Sequence, residues 1–435
     1  ELTTGWPQKG GVYRWVGEAF GKKWGFLAIW LQWIESTIWF PTVLTFAAVS
    51  LAFMGPGQRW DEALAANKWY VLIVVLCVYW AATLLNLRGM KTSAGVTKWG
   101  TIIGTIIPGA ILILLGLGYW AGGNPILLDM SWDKLVPDMS NFNNLVLAAS
   151  IFLFYAGMEM SAVHVKDVNN PGRNYPLAIL ISAIITVLIF VLGTLAIGFI
   201  IPNSQINLVQ SLLITYDSYF SFFGLGWMNW ILALALAVGV LAQVTAWVGG
   251  PSKGLYQVGL AGNLPPVMQK RNKNNVQMGI LLIQGGIVTL LSIMFVIMPS
   301  VQSAYQIISQ LTIILYLIMY MLMFASGIYL RYREPNTPRT FRIPGGRTFG
   351  MWVVGGLGLL ASLAAFLVSF IPPNQITVGS STMYVLLLVV GTFIFAGIPF
   401  IIHAMAKPSW KRPVDPEDAF EPFGWEKSNG SHSAA

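Results

Sequence analysis

Ten runs of apolar residues, each long enough to cross a lipid bilayer, constrain this 435-residue chain more than any other feature. A bilayer core of about 30 Å is crossed by roughly 20 residues of α-helix. Continuous runs of this length indicate helices, whereas a membrane barrel would show alternating segments of about ten residues. We therefore predict an all-α polytopic membrane protein. Its predicted spans are residues 24–54, 69–87, 99–121, 143–165, 176–201, 225–250, 276–298, 305–330, 348–371 and 382–406.

The basic residues predict the orientation of the spans. Cytoplasmic loops of membrane proteins carry an excess of lysine and arginine. If the chain starts inside, 22 of its 25 basic residues fall in cytoplasmic segments, and only Arg59, Lys68 and Lys134 lie outside. Both ends are then cytoplasmic, and the net charge of +8 needs no nucleic-acid partner. We predict one transmembrane domain over residues 1–406 and a cytoplasmic tail over 407–435, disordered because it is polar and acidic.

Only two carboxylates, Glu35 and Glu159, lie within the apolar runs. An ionised carboxylate at mid-bilayer costs roughly 2.5–3.5 kcal/mol, so such residues commonly line a polar pathway. The alternative is a protonated carboxyl that ties two helices together. Glu159 follows Gly157 in FLFYAGMEMSAVHV. A glycine there can interrupt the helix and free backbone groups for a ligand, as in many transporters, or it can simply permit close packing.

Other polar side chains recur at helical spacing on three separate spans. Residues three or four apart on a helix share one face. A single tyrosine or tryptophan in such a position commonly serves packing alone, but three such stripes favour a shared polar cavity. The stripes are Gln32, Glu35 and Trp39; Gln243 and Trp247; and Thr312, Tyr316 and Tyr320.

Residue types that carry catalysis or bind metals are scarce. The three histidines, His164, His403 and His432, are scattered, and the one cysteine, Cys77, lies in an apolar run. This pattern supports neither a metal site nor a histidine-based triad. We predict no metal, no cofactor and no enzymatic activity. The GTIIG sequence at residues 100–104 instead predicts a close contact between two helices.

Several segments resemble one family of transporters. FYAGMEMSAVHVKDVNNPGRNYPLAIL resembles the sixth helix and following loop of the amino acid–polyamine–organocation superfamily, and is most similar to the bacterial glutamate/γ-aminobutyrate antiporters. VGGPSKGLYQVGLAGNLPPVMQKRNKNNVQ resembles the segment after their eighth helix. TFRIPGG and SLAAFLVSFIPPNQI resemble the start and end of their eleventh helix. The resemblance runs in order from about residue 10 to residue 403.

This resemblance implies a fold of twelve helices with two inverted five-helix repeats. The ten spans then correspond to family helices three to twelve, so we expect the chain to be truncated at its N-terminus and to lack family helices one and two. The resemblance places Glu159 at the break of family helix six, where the family's glutamate is tied to proton-coupled or pH-sensitive transport. It also places Trp247 on family helix eight, and Tyr316 and Tyr320 on family helix ten along the substrate path.

The predicted function is secondary active amino acid transport in a bacterial inner membrane, with exchange of glutamate and γ-aminobutyrate in acid resistance. A proton-coupled permease for another amino acid is the alternative. The expected partners are small amino acids and the lipid bilayer. The predicted substrate-binding residues are Tyr155, Ala156, Gly157, Met158, Glu159, Gln243, Trp247, Tyr316 and Tyr320.

Two residues depart from the antiporter pattern. The antiporters have glutamate where this chain has Gln243, and glutamine where it has Glu35. We therefore expect Glu35 to supply a second acid to the cavity from the opposite scaffold helix. Glu159 and Glu35 are the candidate proton-coupling residues.

Overall fold

Every regular element in the described part of the chain is helical. The computed structural model describes residues 1–55, 57–131, 146, 151, 155–160, 168–373, 380–411 and 419–426. The helices, numbered in chain order, are α1 (Leu2–Gly5), α2 (Val12–Phe20), α3 (Lys22–Ala52), α4 (Gln58–Ala65), α5 (Lys68–Leu87), α6 (Met90–Thr101), α7 (Ile107–Ala121), α8 (Pro171–Ile200), α9 (Ser211–Phe222), α10 (Asn229–Leu260), α11 (Met278–Ser292), α12 (Met294–Ile297), α13 (Val301–Arg333), α14 (Phe349–Met351), α15 (Leu357–Val368) and α16 (Ser381–Ala404).

Within the described ranges, nine helical segments are long and apolar enough to cross a membrane. They confirm the predicted class of all-α polytopic membrane protein. The predicted span at 143–165 falls mostly outside the described residues. The nine segments are Lys22–Ala52, Lys68–Leu87, Ser93–Ala121, Pro171–Ile200, Gly226–Leu260, Met278–Ile297, Val301–Arg333, Phe349–Val368 and Ser381–Ala404.

Helix α3 is the central element of the bundle. It packs along α10 and α13, and also against α2 and α5. In contrast, none of the most apolar stretch of α8 is buried in the protein. Leu180 and Ile184 of α8 are 58% and 52% exposed. A helix this apolar with so little protein contact is suited to face lipid, whereas α3 carries polar side chains in the protein interior.

Two helices extend further than their apolar runs. The predicted span 99–121 begins nine residues earlier, at Met90, and continues through a π-helical turn at Ile102–Ile106. The predicted span 225–250 continues through Pro251 to Leu260. Polar turns can continue a helix beyond the apolar band, so hydropathy does not mark these ends. Near Pro251, the Ser252 hydroxyl donates a hydrogen bond to the Val248 carbonyl (2.7 Å) within the same helix.

The GTIIG segment forms the close helix contact that the sequence predicts. A Cβ atom added to Gly104 would lie 2.2 Å from the Cα of Gly239 on α10. One added to Gly100 would lie 2.3 Å from the Cβ of Ala242. Gly104 and Gly239 therefore meet backbone to backbone, and at Gly100 only the Ala242 methyl lies in the contact, as small residues permit in membrane helices.

Part of the C-terminal tail is ordered, which corrects the prediction of disorder for residues 419–426. We call these residues the tail segment. Phe423 is fully buried, with its ring 5.5 Å from that of Tyr13 on α2. It lies over Gly17, where an added Cβ would come within 2.4 Å of the Phe423 ring. The segment therefore docks by burying aromatic side chains, which an argument from overall polarity does not detect.

The tail segment also forms hydrogen bonds with two charged side chains of α2. The Arg14 guanidinium, 1% exposed, donates to the carbonyl oxygens of Pro422 (3.1 Å) and Glu421. The backbone N–H of Gly424 donates to the Glu18 carboxylate (2.9 Å). Hydrogen bonds with a charged partner are about twice as strong as neutral ones. The tail segment is therefore held to α2 by polar as well as apolar contacts.

Candidate functional site

The backbone changes conformation at Ala156 and Gly157. Tyr155 is helical, Ala156 and Gly157 form a turn, and Met158–Met160 form a single 3₁₀ turn. Gly157 has a φ of 106°, a conformation that glycine adopts without steric cost. A Cβ on Gly157 would lie 2.8 Å from the indole ring of Trp247. The sequence therefore places glycine where the chain turns and where an indole ring approaches its backbone.

Beside this turn, the Glu159 carboxylate accepts three hydrogen bonds. The Tyr320 hydroxyl donates to Oε2 (2.7 Å), and the Tyr316 hydroxyl donates to Oε1. The Gln32 amide also donates to Oε1 (3.1 Å). The Tyr320 hydroxyl in turn accepts a hydrogen bond from the Gly157 N–H (3.2 Å). One network thus joins the carboxylate, two phenols, an amide and the backbone at the turn.

Two neighbouring helices bring the three donors together. Tyr316 and Tyr320 are one turn apart on α13, with their rings stacked 4.9 Å apart. Gln32 lies on α3, which packs along α13. Thr312, one turn before Tyr316, instead donates to the Ile308 carbonyl (3.0 Å) of its own helix. The stripe on α13 therefore forms the site through its two tyrosines.

Glu35 lies close to this network without joining it by a hydrogen bond. It is one turn from Gln32 on α3 and 2% exposed. Its carboxyl interacts electrostatically with the Glu159 carboxyl and with the Tyr316 phenol. Within the described residues its Oε1 atom has no hydrogen-bond partner. Two acidic groups therefore share the interior between α3 and α13, and only one is held by donors.

Two tryptophans form an aromatic wall next to the turn. The Trp39 and Trp247 rings are 5.6 Å apart and come from α3 and α10. Trp247 and Gly157 also line a cavity of about 700 Å³. Met158 and Glu159 line a second cavity of about 230 Å³. The turn therefore borders two spaces that could admit a small molecule.

Not every predicted site residue lies in this network. Tyr155 packs its ring 5.9 Å from that of Phe190 on α8, and Ala156 packs against the core. The side chain of Gln243 is exposed and lines a different cavity of about 320 Å³. None of the contacts among described residues brings Tyr155 or Gln243 to Glu159. The structure thus brings together Gly157, Glu159, Trp247, Tyr316 and Tyr320.

Gln32 is the residue that the predicted site omits. It belongs to the same stripe as Glu35 and Trp39, so the spacing was a usable signal. A lone amide on an apolar helix can equally serve packing, and only the position of Glu159 reveals its role. Because Gln32 and both tyrosines donate, Glu159 can accept all three bonds as a carboxylate.

The donor set suits a small polar molecule rather than a metal ion. The described residues hold no group of three or more histidine, cysteine or acidic side chains placed to bind a metal. A carboxylate can bind an ammonium group, and a backbone N–H at a helix break can bind a carboxylate. Aromatic rings can enclose the apolar part between them.

A bundle of membrane-length helices with a backbone turn beside a half-buried carboxylate has the architecture of a secondary transporter. Comparison with known proteins identifies the family. The family model described as amino acid permease matches residues 1–395, so the chain belongs to this family of the amino acid–polyamine–organocation superfamily. Both the predicted superfamily and its polytopic transporter fold are thereby confirmed.

Individual relatives cover nearly the whole chain. It is 38% identical over 401 residues to an uncharacterized transporter of Legionella pneumophila, covering 92% of this chain and 85% of the relative. It is 32% identical over 404 residues to a glutamate/γ-aminobutyrate antiporter of Lactococcus lactis, covering 92% and 79%. It is 24% identical over 349 residues to a probable agmatine/putrescine antiporter of the same species, covering 79% and 72%.

Proposed function

We propose that this protein exchanges glutamate for γ-aminobutyrate, or a similar pair of amino acids, by alternating access. The observation that carries the proposal is the Glu159 carboxylate, held by Tyr316, Tyr320 and Gln32 beside the turn at Gly157. The 32% identical relative of Lactococcus lactis that is named as such an antiporter supports the substrate pair. The basic loops support a bacterial cytoplasmic membrane with both chain ends inside.

The site can distinguish the two substrates by charge. Both carry an ammonium group that Glu159 can bind, but glutamate carries one more carboxylate than γ-aminobutyrate. A charged Glu159 repels that additional carboxylate, whereas a protonated Glu159 does not. Protonation of the site therefore favours glutamate, and deprotonation favours γ-aminobutyrate.

This charge preference gives the exchange a direction. With acid outside and a neutral cytoplasm, glutamate enters and γ-aminobutyrate leaves. Decarboxylation of glutamate consumes a proton inside, which makes acid resistance the proposed physiological role. The cavity of about 700 Å³ at Gly157 and Trp247 also has Lys98 and Lys253 in its lining. Both lysines lie toward the basic end of the bundle, so we assign this cavity to the inward route.

Counterflow in proteoliposomes tests the proposal. Labelled glutamate outside should enter faster when the vesicles contain γ-aminobutyrate or glutamate, and more slowly when they contain no amino acid. Glu159→Gln should lower γ-aminobutyrate exchange at neutral pH by at least tenfold, because the carboxylate that binds its ammonium is lost. The control is Glu334→Gln, the same change at an exposed residue after α13. Glutamate uptake that is independent of internal amino acids would refute exchange.

A proton-coupled permease is the second candidate, because Glu35 is a buried acid beside Glu159 with an unpaired Oε1 atom. An imposed pH gradient would then drive uptake into vesicles that contain no amino acid. Glu35→Gln should shift the pH profile of transport, whereas Gln243→Glu should not restore it, because the Gln243 side chain lines a different cavity. An unchanged rate and pH profile in Glu35→Gln would show that Glu35 is only a structural link.

A further inference from the structure

A second polar cavity lies at the opposite end of the bundle from the basic loops. Helices α4 and α9 are short helices outside the membrane-length segments, and the cavity lies between them and the first turn of α10. Its volume is about 290 Å³, close to the lower limit of roughly 300 Å³ for pockets that bind small molecules. It shares no lining residue with the cavities at Gly157 and Glu159.

Asp61 of α4 lines this cavity, and its carboxylate has a backbone hydrogen bond with Gly57 but one unsatisfied oxygen among the described residues. The residue is 5% exposed, and its Oδ1 atom has no hydrogen-bond partner in the described structure. Gly55 provides the room for that oxygen, because an added Cβ on Gly55 would lie 2.2 Å from it. A buried carboxylate oxygen without a donor costs free energy, and a bound molecule that donates to this oxygen would offset the cost.

Asp217 of α9 adds a second carboxylate to the same cavity. The Asn229 amide donates a hydrogen bond to Asp217 Oδ1 and so fixes its position. Burial first, and then the charges of Asp217 and Glu62, raise the pKa of Asp61. Burial likewise raises the pKa of Asp217. In the described ranges neither aspartate forms an ion pair, so no basic side chain there neutralises the cavity.

The other residues that line the cavity favour an organic ammonium ion over a metal ion. Phe53, Tyr216 and Trp230 contribute aromatic side chains to the lining. Aromatic faces attract organic ammonium groups, and carboxylates form charge-assisted hydrogen bonds with them. A divalent metal ion would need more oxygen ligands than two carboxylates, and the described residues hold no acidic group of three placed for one.

We propose that the cavity between α4, α9 and α10 is a second binding site, which holds a small molecule through its primary ammonium group between Asp61 and Asp217. The ammonium donates to the free Oδ1 of Asp61 and to the Asp217 carboxylate. Its aliphatic part lies against Trp230 and Phe53. The site is separate from Glu159 and does not depend on which amino acids are exchanged.

Titration of purified protein with n-butylammonium chloride tests this site. The measurement is calorimetric binding at pH 7.5, with sodium chloride replaced so that the ionic strength stays constant. The titration is made in Glu159→Gln, which removes the carboxylate proposed to bind ammonium groups at the other site, and we expect saturable binding in this protein. Asp61→Asn and Asp217→Asn should each weaken binding at least tenfold. Asp129→Asn, the same change in an exposed loop at the same end of the bundle, should leave it unchanged.

Stability in the absence of ligand separates a binding role from a structural one. Removing one of two repelling carboxylates should keep the melting temperature of Asp61→Asn at or above that of the unchanged protein. If an asparagine variant does not fold, Trp230→Leu decides, because loss of the aromatic face should weaken binding several-fold. Binding retained in these variants, binding lost in Glu159→Gln, or equal competition by sodium ions would overturn the proposal.

Discussion

Replacing Gly157 with alanine tests whether the turn beside Glu159 is needed for transport. The residue has a φ of 106°, and a side chain in such a conformation costs about 1–3 kcal/mol. The new Cβ would also lie 2.8 Å from the Trp247 indole ring. If the turn is required in the transporting state alone, this strain reduces the population of that state by about 5- to 150-fold, since 1.4 kcal/mol corresponds to tenfold.

The assay is the initial rate of counterflow at equal amounts of reconstituted protein. Gly157→Ala should lower the rate by a factor in that range. Gly286→Ala on α11 is the matched control, because an added Cβ there meets no atom within 4 Å. In the double variant Gly157→Ala with Trp247→Leu, the clash between the new Cβ and the indole ring should disappear. The strain of a non-glycine residue at positive φ should remain. A rate for Gly157→Ala within twofold of the unchanged protein would refute the reasoning.

Three further changes test stability. Phe423→Ala removes a fully buried ring and should lower the free energy of unfolding by about 3–5 kcal/mol, which a lower melting temperature would report. An unchanged melting temperature would contradict docking of the tail segment. Gly104→Val places a side chain against the Gly239 backbone and should reduce the yield of monodisperse protein in size-exclusion chromatography, whereas a normal yield would contradict the close contact. Asp61→Asn should raise the melting temperature at pH 7, because the raised pKa means that the charged form destabilises the fold. This gain should vanish as the pH falls below about 4, where Asp61 is protonated in folded and unfolded chains alike, and a gain that persists there would contradict the assignment.

The fold was largely predictable because each membrane-length helix needs about 20 apolar residues, and that requirement is visible in any sequence. Helix ends were not predictable to the same degree. Helix α6 starts at Met90 and α10 ends at Leu260, since polar turns continue helices where hydropathy gives no signal. The tail segment was missed for a related reason. Its composition is polar, and only the spacing of Phe420, Phe423 and Trp425 hints at a docked surface.

The candidate site was predictable where chemistry is rare. A carboxylate in an apolar run is conspicuous, and Tyr316 and Tyr320 share a face by spacing alone. The pairing of Gln32 with Glu159 joins residues 127 positions apart, so no local pattern could reveal it. Gln243 was expected at the site because it shares a face with Trp247, but its side chain lines another cavity. Helical spacing shows which residues share a face of a helix, but it does not show which other helices or cavities that face contacts.

The docking of the tail segment on α2 has a consequence for biosynthesis. Two acceptors of the buried Arg14 guanidinium, the Glu421 and Pro422 carbonyls, are synthesised 407 and 408 residues after Arg14 itself. At about 5–20 residues per second, the ribosome needs roughly 20–80 s to supply them. During that interval α2 must keep its arginine hydrated or bound to lipid headgroups. Closure of this surface therefore waits until the tail segment has been synthesised, and a chain that stops before Glu421 leaves the Arg14 side of α2 without these two acceptors.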